Sequence, residues 1–361
     1  MREPFHGGGV RTVSRRLGVS PEEFLDFSSN LNPLGPPDEV LNLLARGDEW
    51  QREATVHPPE YPWELSGALA EAWGVEEESL AVVPGSVHGI YLLFQLLRPR
   101  ATALHVPTFS EYARAAAVVN SRLVVHPTSA QRGFRLCLGE YSWRVEPGIE
   151  MAVLCNPNNP TGYLMPMDEV DALARWCDRE GCYLVVDEAF VEFTSQESAV
   201  SLVGEHSHLV VLRSFTKAYA IPGLRVGAVV APPTLAERVR KAIPPWSVGE
   251  VAQQACILAL RDRDHLERTR TLVKGERERL KKGLQGLGLN PAPSWANYLL
   301  CRLPEEKSGE TLYSHMLEER ILIRRCHNME GLDHRFVRVS VRLPHENRRL
   351  LEAMETALQR G

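Results

Sequence analysis

Long apolar runs are absent from this chain of 361 residues, and no stretch approaches the roughly 20 residues of a membrane-spanning helix. An excess of basic residues is also absent, since the formal net charge is -5, and this argues against nucleic-acid binding. The opening MREPFHGGG lacks the apolar core of a signal peptide. The seven cysteines include no CxxC pair, which predicts reduced thiols and neither disulfides nor a zinc site. We therefore expect a cytoplasmic protein that binds no metal.

The composition is that of an ordinary globular protein, with 44% hydrophobic and 24% charged residues. Between about residues 64 and 245, short apolar runs alternate with helical patterns. This alternation is typical of strands buried on both faces of a mostly parallel sheet. The predicted strands are Leu80–Val83, Ala103–Val106, Leu123–Val125, Met151–Cys155, Tyr183–Asp187, Leu209–Arg213 and Val226–Val230. One intervening helix is expected to be capped by Asp168 and to end at Gly181.

The pattern changes after Pro244 and Pro245, where a long helical region covers about 249–286. Shorter strands and helices follow it: Tyr298–Cys301, Ile321–Arg324 and Phe336–Val341, with helices near 308–319 and 345–359. We predict a doubly wound α/β layer with a seven-stranded, mostly parallel sheet as the large domain, residues 39–245. An N-terminal arm, 1–38, and a small α+β domain, 246–361, are expected to pack close to each other.

Polar residues follow several of the predicted strands. Lys217 ends the motif SFTK after the run Leu209–Arg213, and Arg225 comes eight residues later. Asp187 ends another run, and Asn159 lies in NPNNPTG. Each residue alone suits a plainer role, such as a solvated lysine or an Asx-turn. Because ligands bind at the carboxyl ends of strands in open α/β sheets, the set together predicts one shared site.

The chemistry of this set matches pyridoxal 5'-phosphate, which needs an amine for its aldehyde, an anion for its pyridinium and donors for its phosphate. Lys217 would condense with the aldehyde and later move protons. Asp187 would face the pyridine nitrogen, where two unit charges about 4 Å apart interact by about 4 kcal/mol at an effective dielectric of roughly 20. Asn159 would donate a hydrogen bond to the phenolic oxygen.

The cofactor phosphate would be held by a second group of residues. Its side-chain donors would be Ser214, Thr216 and Arg225, since an arginine fork suits phosphate oxygens. The turn Gly85-Ser86-Val87 opens a helix after a strand, so its backbone amides would form a second phosphate cradle. The alternative for this turn is a plain connection between strand and helix.

These motifs resemble those of the fold-type I pyridoxal-phosphate enzymes in the class I/II aminotransferase group, over nearly the whole chain. The resemblance is carried by NPNNPTG, DEAF, SFTKAYAIPGLRVG and PPWSV. Within the group, the chain is similar to histidinol-phosphate aminotransferases and more so to the L-threonine O-3-phosphate decarboxylases of cobalamin biosynthesis. The second similarity rests on HGGGVR and LDFSSNLNPLG near the start, and on ANYLL, ILIRRC and GLDHRFVRV near the end.

The resemblance implies roles for further residues. The substrate's phosphate would be bound by His6, Asn30 and Arg324. Arg338 would bind the substrate's carboxylate or phosphate, Phe109 would stack on the pyridine ring, and Tyr61 would reach the partner's cofactor phosphate across a homodimer interface. The plainer alternatives are a disordered histidine, two surface arginines and a core tyrosine.

The chain departs from its relatives at three places. Pro84-Gly85-Ser86-Val87-His88 replaces an acidic stretch, so Val87 offers a backbone amide but no hydroxyl. Phe190 stands where many aminotransferases have a tyrosine that donates to the phenolic oxygen, and the segment after Tyr61 and Pro62 looks shorter than in related decarboxylases.

The resemblance implies decarboxylation of L-threonine O-3-phosphate to (R)-1-amino-2-propanol O-2-phosphate. The alternative is an aminotransferase acting on histidinol phosphate or a related amino acid. A non-enzymatic binding protein on the same fold is a third hypothesis, and the presence of Lys217 argues against it.

Overall fold

The structure is a computed structural model that describes residues 6–136 and 148–360. Within these ranges the helices α1 to α13 are, in chain order, Val10–Leu17, Asp38–Leu44, Gly47–Glu53, Trp63–Trp73, Ser86–Leu97, Glu111–Val118, Met167–Glu180, Phe215–Ala218, Pro233–Ala242, Glu250–Arg261, Arg263–Gly286, Gly309–Glu318 and Pro344–Arg360. The strands β1 to β13 are Leu25–Asp26, Leu80–Val83, Ala101–Val106, Arg122–Pro127, Met151–Cys155, Tyr183–Asp187, Leu209–Ser214, Gly227–Val230, Asn290–Pro291, Tyr298–Arg302, Ile321–Leu322, Arg324–Arg325 and Phe336–Ser340. Short 3-10 turns lie at Pro21–Glu23, Glu77–Ser79, Ala130–Arg132, Val191–Phe193 and Ala199–Glu205.

Seven strands form one large sheet in the order β2-β8-β7-β6-β5-β3-β4. Strand β8 is antiparallel to both of its neighbours, and the other neighbouring strands pair in parallel. The sheet contains all seven strands predicted from the apolar runs, with small shifts at their ends, so the predicted fold class is confirmed. Every residue of β3, β5 and β7 is buried, which explains why these runs are continuously apolar rather than alternating.

Helices cover both faces of this sheet. Along β6, Leu184 and Val186 belong to one hydrophobic cluster and Val185 to another, because successive side chains on a strand point to opposite faces. Two apolar layers therefore hold the sheet in place and leave its strand ends to carry polar residues.

Helix α7 corrects one detail of the sequence prediction. Pro166 occupies the N-cap, so Asp168 is inside the first turn and does not cap the helix. The carboxylate of Asp168 in the first turn still interacts favourably with the positive end of the helix dipole. Gly181 ends the helix in a left-handed conformation with φ 65°, as predicted.

The chain beyond the large sheet forms two smaller sheets, β12-β13-β10-β9 and the pair β1-β11. Strand β1 of the N-terminal arm pairs in parallel with β11, so the expectation that the arm packs near the small domain is confirmed. The predicted strand Ile321–Arg324 is in fact two short strands that join different sheets, since the chain changes partner at Ile323.

The long helical region divides into α10 and α11 at Asp262. Asp262 accepts a hydrogen bond from the backbone N–H of His265 at 2.9 Å and so begins α11. Ala252 and Cys256 of α10 pack into the hydrophobic cluster of the large sheet, beyond the predicted domain boundary at residue 245. The exact division between domains remains a prediction.

The part of the chain that the structure describes contains no helix that is both long and apolar enough to cross a membrane. The six cysteines in that part are buried, free thiols.

Asp262→Ala is expected to destabilise the protein by about 1 kcal/mol, because it removes the acceptor that caps the first turn of α11. Urea unfolding followed by helical circular dichroism measures the effect. Asp262→Asn keeps a capping oxygen and should remain close to the parent protein. Equal losses in both variants would contradict the capping role.

Candidate active site

A cavity of about 200 Å³ opens where the carboxyl ends of the large sheet's strands meet the N-terminal arm and the small domain. All of the predicted site residues except Gly85 and Tyr61 line it. They are His6, Asn30, Ser86, Val87, Phe109, Asn159, Asp187, Ser214, Thr216, Lys217, Arg225, Arg324 and Arg338. Residues from far-apart segments are thus brought to one place, as the strand-end argument requires.

Lys217 lies in α8, directly after β7. The pKa of its ammonium is lowered to about 8, mainly by burial and in addition by the nearby cations Arg338 and Arg225, while the charge of Asp26 acts in the opposite direction. A larger fraction of this amine is therefore neutral near pH 8 than in an ordinary lysine. A neutral amine is the form that attacks an aldehyde.

Asp187 is buried at the end of β6. Its Oδ2 accepts a hydrogen bond from the Tyr112 hydroxyl at 2.8 Å, and its Oδ1 accepts one from the Ala189 N–H at 3.1 Å. Burial raises the pKa of the carboxyl to about 6, while the two hydrogen bonds act in the opposite direction. A cation placed against this group would stabilise its ionised form.

Tyr112 is a residue that the sequence reasoning missed. It is fully buried, and its ring meets Phe109 edge to face with the centroids 5.7 Å apart. The motif PTFSEY contains Tyr112 in the first turn of α6, three residues after the predicted ring-stacking Phe109. Tyr112 connects the predicted ring-stacking residue to the predicted pyridinium partner.

Arg338 comes from β13 and reaches across to the large sheet. Its Nη1 donates to Asn159 Oδ1 at 2.5 Å and its Nη2 donates to the Ser28 carbonyl at 2.7 Å. Its Nε has no hydrogen-bond partner among the described residues. Arg338 is 5% exposed and Arg324 is 8% exposed, so the alternative that both are surface arginines is wrong.

Donors for an anion converge at the other end of the cavity. The hydroxyls of Ser214 and Thr216 lie 2.9 Å apart, and α5 begins nearby at Ser86. Gly85, with φ 89°, leaves room for an arginine: a Cβ there would lie 2.4 Å from Nη2 of Arg225. Hydroxyls, a guanidinium and a helix N-terminus together form an anion site.

The cavity mouth is defined as the part of the cavity that is lined by His6 and Asn30 of the arm and by Arg324 of β12. His6 Nε2 lies 2.9 Å from Glu111 Oε1. Arg324 Nη2 donates to Asn328 Oδ1 at 2.7 Å. Asn30 is buried, and its Oδ1 has no hydrogen-bond partner in the described part of the chain. Such a buried, unpaired acceptor is costly unless a ligand supplies a donor.

Tyr61 does not line the cavity. Its hydroxyl accepts a hydrogen bond from the Val82 N–H at 2.8 Å, and its ring packs against Trp63 with the centroids 4.5 Å apart. The predicted role of Tyr61 concerns the cofactor of a partner subunit, so it remains a prediction.

The residues present fit pyridoxal phosphate. The cradle at Gly85 has room only for a glycine, and the surrounding donors suit a phosphate. Asp187 offers a buried carboxylate for a pyridinium, and Lys217 an amine of lowered pKa for an aldehyde. Lys217, Asp187 and the donors Ser214, Thr216 and Arg225 line one cavity, and together they match the functional groups of the cofactor.

The comparisons with known proteins agree with this geometry. Residues 22–354 match the family described as aminotransferase class I and II. The chain therefore belongs to this family of pyridoxal-phosphate enzymes, and the resemblance predicted from its motifs is confirmed.

The similar proteins are of two kinds, threonine-phosphate decarboxylases and histidinol-phosphate aminotransferases. The chain is 35% identical to the threonine-phosphate decarboxylase of Salmonella typhimurium, over 98% of this chain and 96% of that protein. Among solved structures, it is similar to L-threonine-O-3-phosphate decarboxylase from Porphyromonas gingivalis, with a TM-score of 0.82, 27% identity and coverage of 92% and 99% of the two chains. Histidinol-phosphate aminotransferase from Clostridium acetobutylicum gives a TM-score of 0.86, 28% identity and coverage of 93% and 100%.

In the cofactor-free protein, trapping of Lys217 by pyridoxal and cyanoborohydride is expected to rise with pH around a midpoint of about 8. Mass spectrometry of the labelled peptide at a series of pH values measures it, with the exposed Lys241 as a reference amine in the same digest. Arg338→Gln should move the midpoint upward, because it removes a cation that disfavours the ammonium form. A midpoint near the usual lysine value of about 10.4 would contradict this account.

Gly85→Ala is expected to weaken pyridoxal-phosphate binding roughly tenfold, because the new Cβ displaces Arg225 from the phosphate and a hydrogen bond to a charged group is worth about 1.5 kcal/mol. Fluorescence titration of the cofactor-free protein measures the affinity. Gly223→Ala is the matched control in the loop that carries Arg225, since a Cβ there has no neighbour within 4 Å. Unchanged affinity in Gly85→Ala would show that the turn is not a cradle.

Proposed function

We propose that the protein decarboxylates L-threonine O-3-phosphate to (R)-1-amino-2-propanol O-2-phosphate, the reaction expected in cobalamin biosynthesis. One observation carries the proposal: two buried arginines, Arg324 and Arg338, line the same cavity as Lys217. Threonine phosphate carries a carboxylate and a phosphate on one short molecule, so each anion has a guanidinium of its own. Arginine forks suit both kinds of anion.

The two arginines take different anions in this proposal. Arg338 is tied to Asn159, the predicted partner of the cofactor's phenolic oxygen, and would hold the carboxylate beside the α-carbon. Arg324 lies at the mouth with His6 and Asn30, and these three residues would hold the phosphate. Two fixed anions set the rotation of the substrate, so binding energy at remote groups is used for orientation.

Pyridoxal phosphate, when bound, supplies a conjugated ring that accepts electrons from the bond that breaks at the α-carbon. Lys217 would deliver the proton that replaces carbon dioxide at this carbon. In the cofactor-free protein its pKa is lowered to about 8, and an acid works best when its pKa lies near the working pH. Asp187 would keep a positive charge on the ring nitrogen.

A cytoplasmic homodimer with shared active sites is part of the proposal. Val56, Trp63 and Trp246 are exposed large apolar side chains, and exposed apolar surface marks interaction sites. Tyr61 lies next to Trp63 in sequence, where such an interface would place it towards the partner's cofactor phosphate. The free thiols of the described cysteines suit a reducing compartment.

The alternative is an aminotransferase acting on histidinol phosphate, which the fold likeness to the Clostridium acetobutylicum enzyme supports. Histidinol phosphate has a phosphate but no carboxylate. The second substrate of an aminotransferase, 2-oxoglutarate, has two carboxylates and could also use both arginines. What favours the decarboxylase is the 35% identity to the Salmonella typhimurium enzyme over nearly the full length of both chains.

The holoenzyme supplied with O-phospho-L-threonine and no keto acid is expected to release carbon dioxide. Arg324→Gln should lower kcat/KM by roughly 10- to 100-fold, the value of one or two charged hydrogen bonds. Arg325→Gln is the matched control, since Arg325 adjoins Arg324 on β12 but pairs with Glu310. Transamination with 2-oxoglutarate and no carbon dioxide release would reject the decarboxylase in favour of the alternative.

A further inference from the structure

Glu111 is a buried carboxylate that contacts His6 of the cavity mouth, and none of the roles above uses it. It is 7% exposed and begins helix α6. Its Oε1 lies 2.9 Å from His6 Nε2 and 3.3 Å from Arg114 Nη1, and its Oε2 accepts a hydrogen bond from the Tyr91 hydroxyl at 2.7 Å. A buried anion beside an anion-binding site requires a reason, because it repels the ligand that the site attracts.

The reason lies in His6. This residue comes from the glycine-rich arm, and its side chain is 40% exposed, so packing alone leaves the ring loosely held. The arm's backbone path is tight, since a Cβ at Gly7 would lie 1.9 Å from the Ser28 carbonyl oxygen. The ring itself is set by Glu111 at Nε2 and by Phe109, whose ring centroid is 5.6 Å away.

The charges around His6 act in both directions. Burial lowers the pKa of its imidazolium most strongly, and Arg324 and Arg114 lower it as well. Glu111 opposes them through its charge and its hydrogen bond. Glu111 is thus the one group among these neighbours that favours the charged ring, which is the form that attracts a phosphate.

We propose that Glu111 is a positioning residue for the substrate's phosphate: through its contact with Nε2 it holds the His6 ring at the cavity mouth, where the phosphate binds. Tyr91 fixes the carboxylate from helix α5, so the arm, α6 and α5 act together at the mouth. The inference rests on the proposed function for the identity of the anionic group, and on the contacts of Glu111 for the rest.

The test measures binding of ethanolamine phosphate to the holoenzyme by titration calorimetry. This probe has an amine and a phosphate but no carboxylate to lose, and ethanolamine serves as the control ligand without the phosphate. Glu111→Gln keeps the size and an acceptor but removes the charge. We expect it to weaken binding of ethanolamine phosphate roughly tenfold, the value of a hydrogen bond to a charged group, and to leave ethanolamine binding unchanged.

A double-mutant cycle shows whether Glu111 affects phosphate binding through His6. If Glu111 acts through His6, then Glu111→Gln weakens binding no further in a His6→Ala background, where only the repulsion between Glu111 and the phosphate remains. Tyr91→Phe removes only one contact of Glu111 and should give a smaller loss that also vanishes without His6. Arg114→Gln is the matched control in the same cluster; because its side chain is 55% exposed, it should change the affinity by less than about twofold.

The pH dependence of the affinity provides a second readout. A merely structural role of Glu111 would leave this pH dependence unchanged. Affinity for ethanolamine phosphate should fall as the pH rises through the titration of His6. In Glu111→Gln the fall should occur at lower pH, because the group that favours the imidazolium is gone. The titration of the probe's own phosphate is common to both proteins and cancels in the difference.

Two results would overturn the inference: an equal loss from Glu111→Gln with and without His6, or an equal loss for ethanolamine. The outcome is independent of decarboxylation. The expected coupling between Glu111 and His6, found in a holoenzyme that releases no carbon dioxide from threonine phosphate, would reject the proposed function and leave the inference standing.

Discussion

Parallel pairing of three central strands is the constraint on which the site depends. In the register of β5, β6 and β7, Cys155 pairs with Asp187, and Asp187 pairs with Leu212, two residues before Ser214. Because parallel strands end at one edge, the groups that follow them meet there although they are far apart in sequence. A slip of one residue would turn Asp187 to the opposite face of the sheet and break the set.

Excess positive charge explains the electrostatics of the cavity. Lys217, Arg225, Arg324 and Arg338 all line it. The lowered pKa values of Lys217, Arg324 and Arg338 have burial as their largest cause. Repulsion from neighbouring cations is a further cause for Lys217 and Arg324, whereas Cys326, Tyr298 and Asp26 act in the opposite direction on the pKa of Arg338. Two phosphates and a carboxylate would relieve this repulsion, and ligands that bind only the folded state stabilise it. The excess of positive charge therefore destabilises the free protein, and the same charge favours binding of an anionic cofactor and an anionic substrate.

The sequence predicted the parts of the molecule that local patterns encode. Continuous apolar runs indicated the seven strands, and the groups that follow them indicated Asp187 and Lys217. Tyr112 and Glu111 were missed because each acts across elements, on β6 and on the arm, and helical periodicity does not reveal such contacts. The break at Asp262 was missed for a related reason: the helical pattern continues through it, and only the side-chain cap stops one helix and starts the next.

In the proposed function, the selection of one reaction follows from the number of anionic groups by which the protein binds the substrate. A ligand held at one anion still rotates about the bonds that join this anion to its α-carbon. A ligand held by Arg338 and by the group at the mouth has lost that freedom, and a single bond at the α-carbon then keeps a fixed angle to the site. The chain is similar both to a decarboxylase and to an aminotransferase, so in the proposed function selectivity would depend on the residues around the second anion. If His6 binds the substrate's phosphate as proposed, its contact with Glu111 would affect reaction choice as well as affinity, because a loosely held imidazole would leave the phosphate free to move.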